Sequence, residues 1–250
     1  MSQSLFERLK VHKSAVITLK RQYRMNRAIA KLSSALFYKG ELKCANELIA
    51  EASLENMGFE NLDQLSLSEG LQLNVSNGVD GSVVFIDTQS PKNSECRMEF
   101  GASPGAVYNS GEIKIVNKIC CLFIRLGIST EDIGVISVYR YHADVMRKAI
   151  PKGVEVNTVD QYQGRDKRVI IVSLVWTERD GARRSELLSD ARRVNVAITR
   201  AKHKLILVGC KQSMMSYETM AALIGLIPES QIKSIAEPSK EGTDGFGGDS

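Results

Sequence analysis

Val154-Glu155-Val156-Asn157-Thr158-Val159, Asp160-Gln161-Tyr162-Gln163-Gly164-Arg165-Asp166 and, after a short gap, Val169-Ile170-Ile171-Val172-Ser173-Leu174-Val175 read in succession as a strand, a polar loop and a second strand. The last run is continuously apolar and largely β-branched, and Leu205-Ile206-Leu207-Val208 is another of the same kind. Runs like these mark strands buried on both faces of a parallel sheet. Helical periodicity separates them. Ser110, with Glu112, opens a helix that runs to Leu126, and Gly127 stands where a C-terminal cap belongs. Ile133 to Val138 is a strand, followed by a helix from about His142 to Ala149 that Pro151 halts. A helix covers part of Ser185 to Thr199, and a last one covers Ser213 to Leu223. Strands alternating with helices predict an α/β fold, a parallel sheet with helices on both faces.

Toward the start, Ala15-Val16-Ile17-Thr18-Leu19 is a strand candidate. Asn26 then caps a helix through Leu36, with Ile29, Leu32, Ala35 and Leu36 on one face. From about Asn46 to Ala106 the periodicity fades, and only Val83-Val84-Phe85-Ile86-Asp87 stands out as a strand. That stretch reads as a variable insertion or long connection. The expected organisation is one domain over residues 1–235, with the insertion at about 46–106 and a disordered tail over 236–250.

Composition narrows the class. With 250 residues, 43% hydrophobic and 25% charged, the chain has ample material for a core. The net charge of +4 is too mild to argue for nucleic acid by itself, although Lys10 to Arg27 and Arg183 to Lys204 are locally basic. The five cysteines (Cys44, Cys96, Cys120, Cys121 and Cys210) have no metal-ligand spacing and are odd in number, which suits a reduced compartment. No metal site and no membrane association are expected.

Three polar tracts carry the chemistry. Tyr23-Arg24 pairs an aromatic ring that can stack on a base with a guanidinium that can reach phosphate oxygens. Such a dipeptide is far more often an ordinary surface pair. In the loop after Val159, Gly164 allows a positive φ or a close backbone approach. Thr158 and Gln163 there offer uncharged donors for phosphate and sugar, and Asp166 an acceptor for a ribose hydroxyl or a metal-bound water. A polar turn, with Asp160 capping a short helix, explains the same residues equally well. In Arg192-Arg193-Val194-Asn195-Val196-Ala197-Ile198-Thr199-Arg200-Ala201, the seven-residue spacing puts Arg193 and Arg200 on one helix face. A desolvated arginine without an acid calls for an anionic ligand. Solvated helix-surface arginines are the plain alternative. No Gly-x-x-x-x-Gly-Lys-Ser/Thr phosphate loop occurs anywhere in the sequence.

In this order, Gln22-Tyr23-Arg24-Met25, Val159 to Asp166 and Arg192 to Ala201 resemble the C-terminal RecA-like motor domain of superfamily 1B helicases. The wording is similar to the branch of nuclease-helicases acting on Okazaki flaps and resected ends in DNA replication and repair. The resemblance runs from roughly Leu5 to Ser213 and is weak between Asn46 and Ala106. It implies an ATP-dependent 5′-3′ DNA helicase that hydrolyses ATP with Mg²⁺, the metal being held mainly by a first RecA-like domain. It also implies that Tyr23 stacks on adenine, that Arg24 and Arg200 meet the γ-phosphate as catalytic groups, and that Gly164 and Asp166 complete the ATP site. Thr158, Gln163 and Arg140 would lie on the single-stranded DNA track. The expected partners are single-stranded DNA, the first motor domain in cis and replication or repair proteins, with a nuclear and in some members mitochondrial location. The chain is expected to be a fragment or a truncated product. Alternatives are a related superfamily 1B RNA helicase or a stand-alone, non-catalytic nucleic-acid-binding module. One departure stands out: the family's proline before Tyr139-Arg140 is Val138 here, and Tyr141 and His142 replace two expected glutamines.

Overall fold

Alternate residues of the apolar runs go to opposite faces of one sheet, and helices cover both. The computed structural model describes residues 9, 16–59, 76–88, 96–103, 105–177 and 185–235. The expected tail, and parts of the expected insertion, lie outside the described residues. In chain order the elements are β1 (Arg21–Gln22), α1 (Arg27–Phe37), β2 (Lys43–Cys44), α2 (Glu47–Ala50), β3 (Val83–Asp87), β4 (Glu99–Phe100) and β5 (Val107–Tyr108). Then come α3 (Ser110–Arg125), β6 (Ile133–Ser137), α4 (Arg140–Ala149), β7 (Glu155–Thr158), β8 (Lys167–Ser173) and α5 (Glu186–Ser189). The rest are α6 (Ala191–Ile198), β9 (Ala201–Gly209), α7 (Lys211–Met214), α8 (Glu218–Gly225) and β10 (Ile232–Ser234).

The main sheet has six strands in the order β10-β3-β9-β8-β6-β7, and every neighbouring pair is parallel. Phe85, Ile136, Ile170, Val172, Leu205 and Leu207 face one core, against Ile29 and Leu32 of α1, Val194 and Ile198 of α6 and Leu223 of α8. Ile86, Val135, Ile171, Ile206 and Val208 face the other, against Val116, Ile119 and Phe123 of α3 and Met146 of α4. The fold class read from the sequence is therefore the observed one. β3 is an interior strand of this sheet, so the stretch around it is no mere appendage.

Several boundaries differ. Residues 16–20 form no strand, and Ile17 and Leu19 are exposed; β1 is a two-residue strand paired in parallel with β2. Ala35 points outward rather than into the α1 face. Asn109, not Ser110, caps α3 by accepting from the Glu112 amide. The last expected helix is two short ones, α7 and α8, and β10 went unread because three residues give too little periodicity. Asn26 does cap α1, accepting from the Ile29 amide, and its amide nitrogen donates to Ala52 O at 2.9 Å and Ser82 Oγ at 2.7 Å. Cys120 is buried and Cys121 half-buried, as neighbours on one helix must be.

The connection from β7 to β8, residues 159–166, crosses over β6 on the α1 side. Tyr162 is fully buried there, and a Cβ at Gly134 would stand 2.0 Å from its hydroxyl. Only glycine at that position leaves room for the hydroxyl end of the ring against the strand.

Candidate functional site

The polar tracts serve opposite edges of the sheet. At the amino edge, Asp166 immediately precedes β8 and Arg200 immediately precedes β9, and the Lys167 amide donates to Arg200 O at 3.1 Å. The turn Tyr23-Arg24-Met25 joins them. Gln22 shapes this turn: its Oε1 accepts from the Arg24 amide at 2.8 Å and the Met25 amide at 2.7 Å, while its Nε2 donates to Met25 O at 2.7 Å. Arg24 is thereby aimed inward, donating from Nε to Asp166 Oδ2 at 3.0 Å and from Nη1 to Thr199 O at 3.1 Å. Tyr23 stays 73% exposed, its ring beside a cleft of about 510 Å³ that Arg24, Ser53, Asn56, Lys202 and His203 also line.

Lys202 was not singled out in the sequence, yet its Nζ stands 2.6 Å from Asp166 Oδ1. Its position as the second residue of a strand, alternating outward after buried Ala201, was the available signal. Both Asp166 oxygens are thus engaged by cations. Burial raises the Asp166 carboxyl, but the hydrogen bonds and charges of Lys202 and Arg24 outweigh it and hold the group below the usual carboxylate range.

Arg200 differs from its neighbours. The expectation that it shares a helix face with Arg193 fails, because α6 ends at Ile198 and Arg200 lies past the Thr199 cap. Its side chain folds back over the helix end, donating from Nε to Val196 O at 2.9 Å, from Nη2 to Thr199 Oγ1 at 3.0 Å and from Nη1 to Arg165 O at 3.4 Å. All of these acceptors are neutral. Among the described residues no carboxylate lies within ion-pair distance of it, and burial, followed by the charge of Arg24, lowers its pKa. Arg193 needs no outside anion: its Nε and Nη2 meet Asp160 Oδ1 and Oδ2 at 3.1 and 3.2 Å.

Thr158 and Arg140 lie at the other, carboxyl edge. Thr158 ends β7 in register with Ser137, which ends β6, and Arg140 opens α4 just beyond. Gln163 and Gly164 are exposed within the crossover that runs from one edge to the other. Gly164 takes φ +86°, and a Cβ there would meet nothing within 4 Å, so the turn rather than close packing needs glycine. Arg140 is exposed and makes no ion pair among the described residues, while its neighbours are anchored. Tyr139 stacks on Trp176 at 6.4 Å and donates to Ser185 Oγ at 2.7 Å. His142 is wholly buried; its Nδ1 accepts from the Asn109 amide at 3.1 Å, and its Nε2 lies 2.9 Å from Ser173 Oγ. Ser173 Oγ in turn donates to Glu112 Oε2 at 2.6 Å. The residue standing where a glutamine was expected is therefore a core group, closed to any ligand.

No described helix is long and apolar enough to cross a membrane, and the described residues hold no group of three or more His, Cys, Asp or Glu able to bind a metal. Comparison with known proteins follows the tracts. The human DNA replication ATP-dependent helicase/nuclease DNA2 is 38% identical over 251 residues, 96% of this chain and 23% of its own length. The Arabidopsis thaliana DNA replication ATP-dependent helicase/nuclease JHS1 is 36% identical over 232 residues, 92% of this chain and 16% of its own length. A solved structure described as the C-terminal domain of a possible DNA helicase from a Lactobacillus aligns over 85% of this chain and 98% of that one. Its 11% identity and TM-score of 0.43 are too low to carry an argument. The chain spans about a fifth of the length of the relatives named here. A family model described as an AAA domain matches residues 1–212, across both polar edges, and the chain belongs to that family.

Proposed function

We propose that the chain is the second, C-terminal RecA-like motor domain of an ATP-dependent 5′-3′ DNA helicase of the replication and repair nuclease-helicase kind, active when closed against a first RecA-like domain. Arg200 carries this reading. It is a half-buried guanidinium with only neutral acceptors, beside Arg24 and Lys202, which share the single carboxylate of Asp166. A partly desolvated cation surplus of this kind fits a phosphate group.

ATP supplies the γ-phosphoryl group that is passed to water. Tyr23 offers its exposed ring to the base. Arg24 and Arg200 reach the γ-phosphate, and Asp166 holds Arg24 and Lys202 in place. The backbone bond from Lys167 to Arg200 fixes the start of β9, so the guanidinium is preorganised for charge that develops in the transition state. Mg²⁺ belongs mainly to the first domain. Thr158 and Arg140 at the carboxyl edge, with Gln163 in the crossover, meet single-stranded DNA, and that crossover between β7 and β8 links the two edges. The relatives are DNA replication helicase/nucleases, which favours DNA over RNA as the substrate and the nucleus as the location. Exposed Ile17 and Leu19 beside β1 supply apolar surface for the first domain.

The chain alone should not turn over ATP, because the sequence has no phosphate loop. Mixing or fusing it with a separately produced first motor domain should restore DNA-stimulated hydrolysis. The chain alone should bind a single-stranded oligonucleotide weakly, with a log–log salt slope of about −2 for some three phosphate contacts. ATP turnover by the chain alone, or no oligonucleotide binding at low salt by the folded chain, would overturn the reading.

A further inference from the structure

We infer that Glu112, buried beneath the carboxyl edge, is a positioning residue for the single-stranded DNA track: it grips the start of α4 from both sides and so fixes where Arg140 meets a phosphate. This role rests on the reading of that edge as a DNA track, with Arg140 among its contacts, and adds what holds Arg140 in place.

Glu112 is wholly buried in the first turn of α3. Its Oε2 takes two donors, Ser173 Oγ at 2.6 Å and the Val175 amide at 2.9 Å, and each leads to α4 by its own route. Ser173 Oγ lies 2.9 Å from Nε2 of His142, in the first turn of α4, and the Asn109 amide pins the other side of that ring. The Val175 route passes through strain. The Trp176 amide donates to Leu174 O at 2.6 Å across Val175, whose φ is +65°. That is a γ-turn of the rare, strained hand, with a β-branched residue at its centre. Such a conformation persists only where its surroundings over-determine it. Here Glu112 holds the Val175 amide, while Asn109 Nδ2 donates to Val175 O and to Glu112 Oε1, each at 3.3 Å. The turn lays Trp176 on Tyr139, the residue that precedes α4, with ring centroids 6.4 Å apart.

Tyr139 and His142 bracket Arg140 in the chain. One carboxylate oxygen therefore sets both flanks of an exposed guanidinium that makes no ion pair among the described residues. A carboxyl in the core costs desolvation, and a strained turn adds to that cost. A helix start held only for packing needs neither. One that must present a guanidinium to a phosphate at a set place gains from both, because ordering done in the free chain is not charged again on binding.

The test uses the chain itself and fluorescein-labelled oligo-dT, by anisotropy over a range of salt. Arg140→Ala should weaken binding by about fivefold at low salt and make the log–log salt slope shallower by about 0.7, one contact's share on a single strand. Glu112→Ala should do the same, and should add nothing to Arg140→Ala in the double variant. Glu112→Gln keeps an acceptor oxygen for Ser173 and Val175 and should bind like the parent. Trp176 is the sole tryptophan, so its near-ultraviolet circular dichroism shows whether the ring has left Tyr139. If Glu112→Ala does not fold, Ser173→Ala and Trp176→Leu each remove one route and should each give part of the same loss. Three results would leave Glu112 a core residue with the DNA track intact: a folded Glu112→Ala chain with parental affinity and slope, a loss that adds in full to that of Arg140→Ala, or parental binding by both single-route variants. Parental binding by Arg140→Ala, while Thr158→Ala weakens it, takes Arg140 off the track and this role of Glu112 with it. If the parent binds no oligo-dT at low salt, the DNA reading fails and the positioning role fails too.

Discussion

Tyr162 and Gly134 are in closer register than any other side chain and glycine pair of the main sheet: a Cβ on Gly134 would stand 2.0 Å from the Tyr162 hydroxyl and 2.8 Å from Ile170 Cδ1. The crossover that separates the two polar edges is pinned to the sheet by this contact. Gly134→Ala should destabilise the chain by about 1–3 kcal/mol, because a buried ring in a packed core cannot step aside. The Tyr162 hydroxyl has no hydrogen-bond partner among the described residues. Tyr162→Phe should therefore be neutral or stabilising, and should recover part of the loss in the double variant. Urea unfolding of the four proteins checks this, and a wild-type midpoint for Gly134→Ala would refute it.

Arg193 and Asp160 make a second link, between α6 and the same crossover. The pair is largely exposed, with side-chain accessibilities of 37% and 65%, so either alanine substitution should shift stability by less than about 1 kcal/mol. The expected effect is on coupling. In a completed motor, Asp160→Ala should weaken the stimulation of ATP hydrolysis by DNA more than it changes the basal rate. The exchanged pair, Asp160→Arg with Arg193→Asp, should regain part of it. Equal stimulation in all variants would reduce the pair to surface decoration.

The main sheet was legible because its interior strands are unbroken apolar runs, which solvent-facing strands do not tolerate. Ile170, Ile171 and Val172 announce burial on both faces without any tertiary information. The edge elements were not legible: β10 is three residues long, and the Ala15 to Leu19 run owes its apolar character to exposed Ile17 and Leu19. Of the site, Arg24, Asp166 and Arg200 were read and are brought together. Lys202 was missed because a cation alternating out of a strand looks like any surface lysine until Asp166 is seen 2.6 Å away. The spacing of Arg193 and Arg200 misled, since a helical face was assumed past the point where α6 stops. His142 was read as part of a departure from the family pattern, but no pattern in the sequence shows that Ser173 and Glu112 lie behind it.

That buried trio predicts an unusual pH response. Burial pushes His142 down to about 3 from 6.5, so its neutral form contributes stability that is lost as pH falls from 6.5 toward 3. Burial raises Glu112 to about 7 from 4.5 against hydrogen bonds from Ser173 and the backbone, so its protonated form contributes stability that is lost as pH rises from 4.5 to 7. Between pH 4.5 and 6.5 the two slopes oppose and cancel. His142→Gln should leave only the Glu112 slope: relative to the parent, the variant should gain up to about 1.4 kcal/mol for each pH unit of acidification in that window. Denaturant midpoints measured across pH 4 to 8 decide it; parallel curves for the two proteins would show that the groups do not titrate as argued.

Arg200 gives the most discriminating prediction, because its two possible roles leave different traces. As a structural residue it closes the end of α6 through Val196 O, Thr199 Oγ1 and Arg165 O, and its removal should lower thermal stability. As an arginine finger it stabilises charge that grows on the phosphoryl oxygens in the transition state. In a completed motor, Arg200→Ala should then cut turnover by about 10³-fold or more, roughly 4 kcal/mol, with little change in ATP binding. Arg200→Lys should not rescue turnover, since an ammonium lacks the planar fork that meets two phosphate oxygens at once. Tyr23→Ala should behave in the opposite way, raising KM for ATP with a smaller loss of kcat, because stacking holds the ground state and the transition state alike. Thermal melts of the same variants separate the roles: a folded Arg200→Ala motor with near-normal turnover would leave Arg200 a helix-capping residue and nothing more.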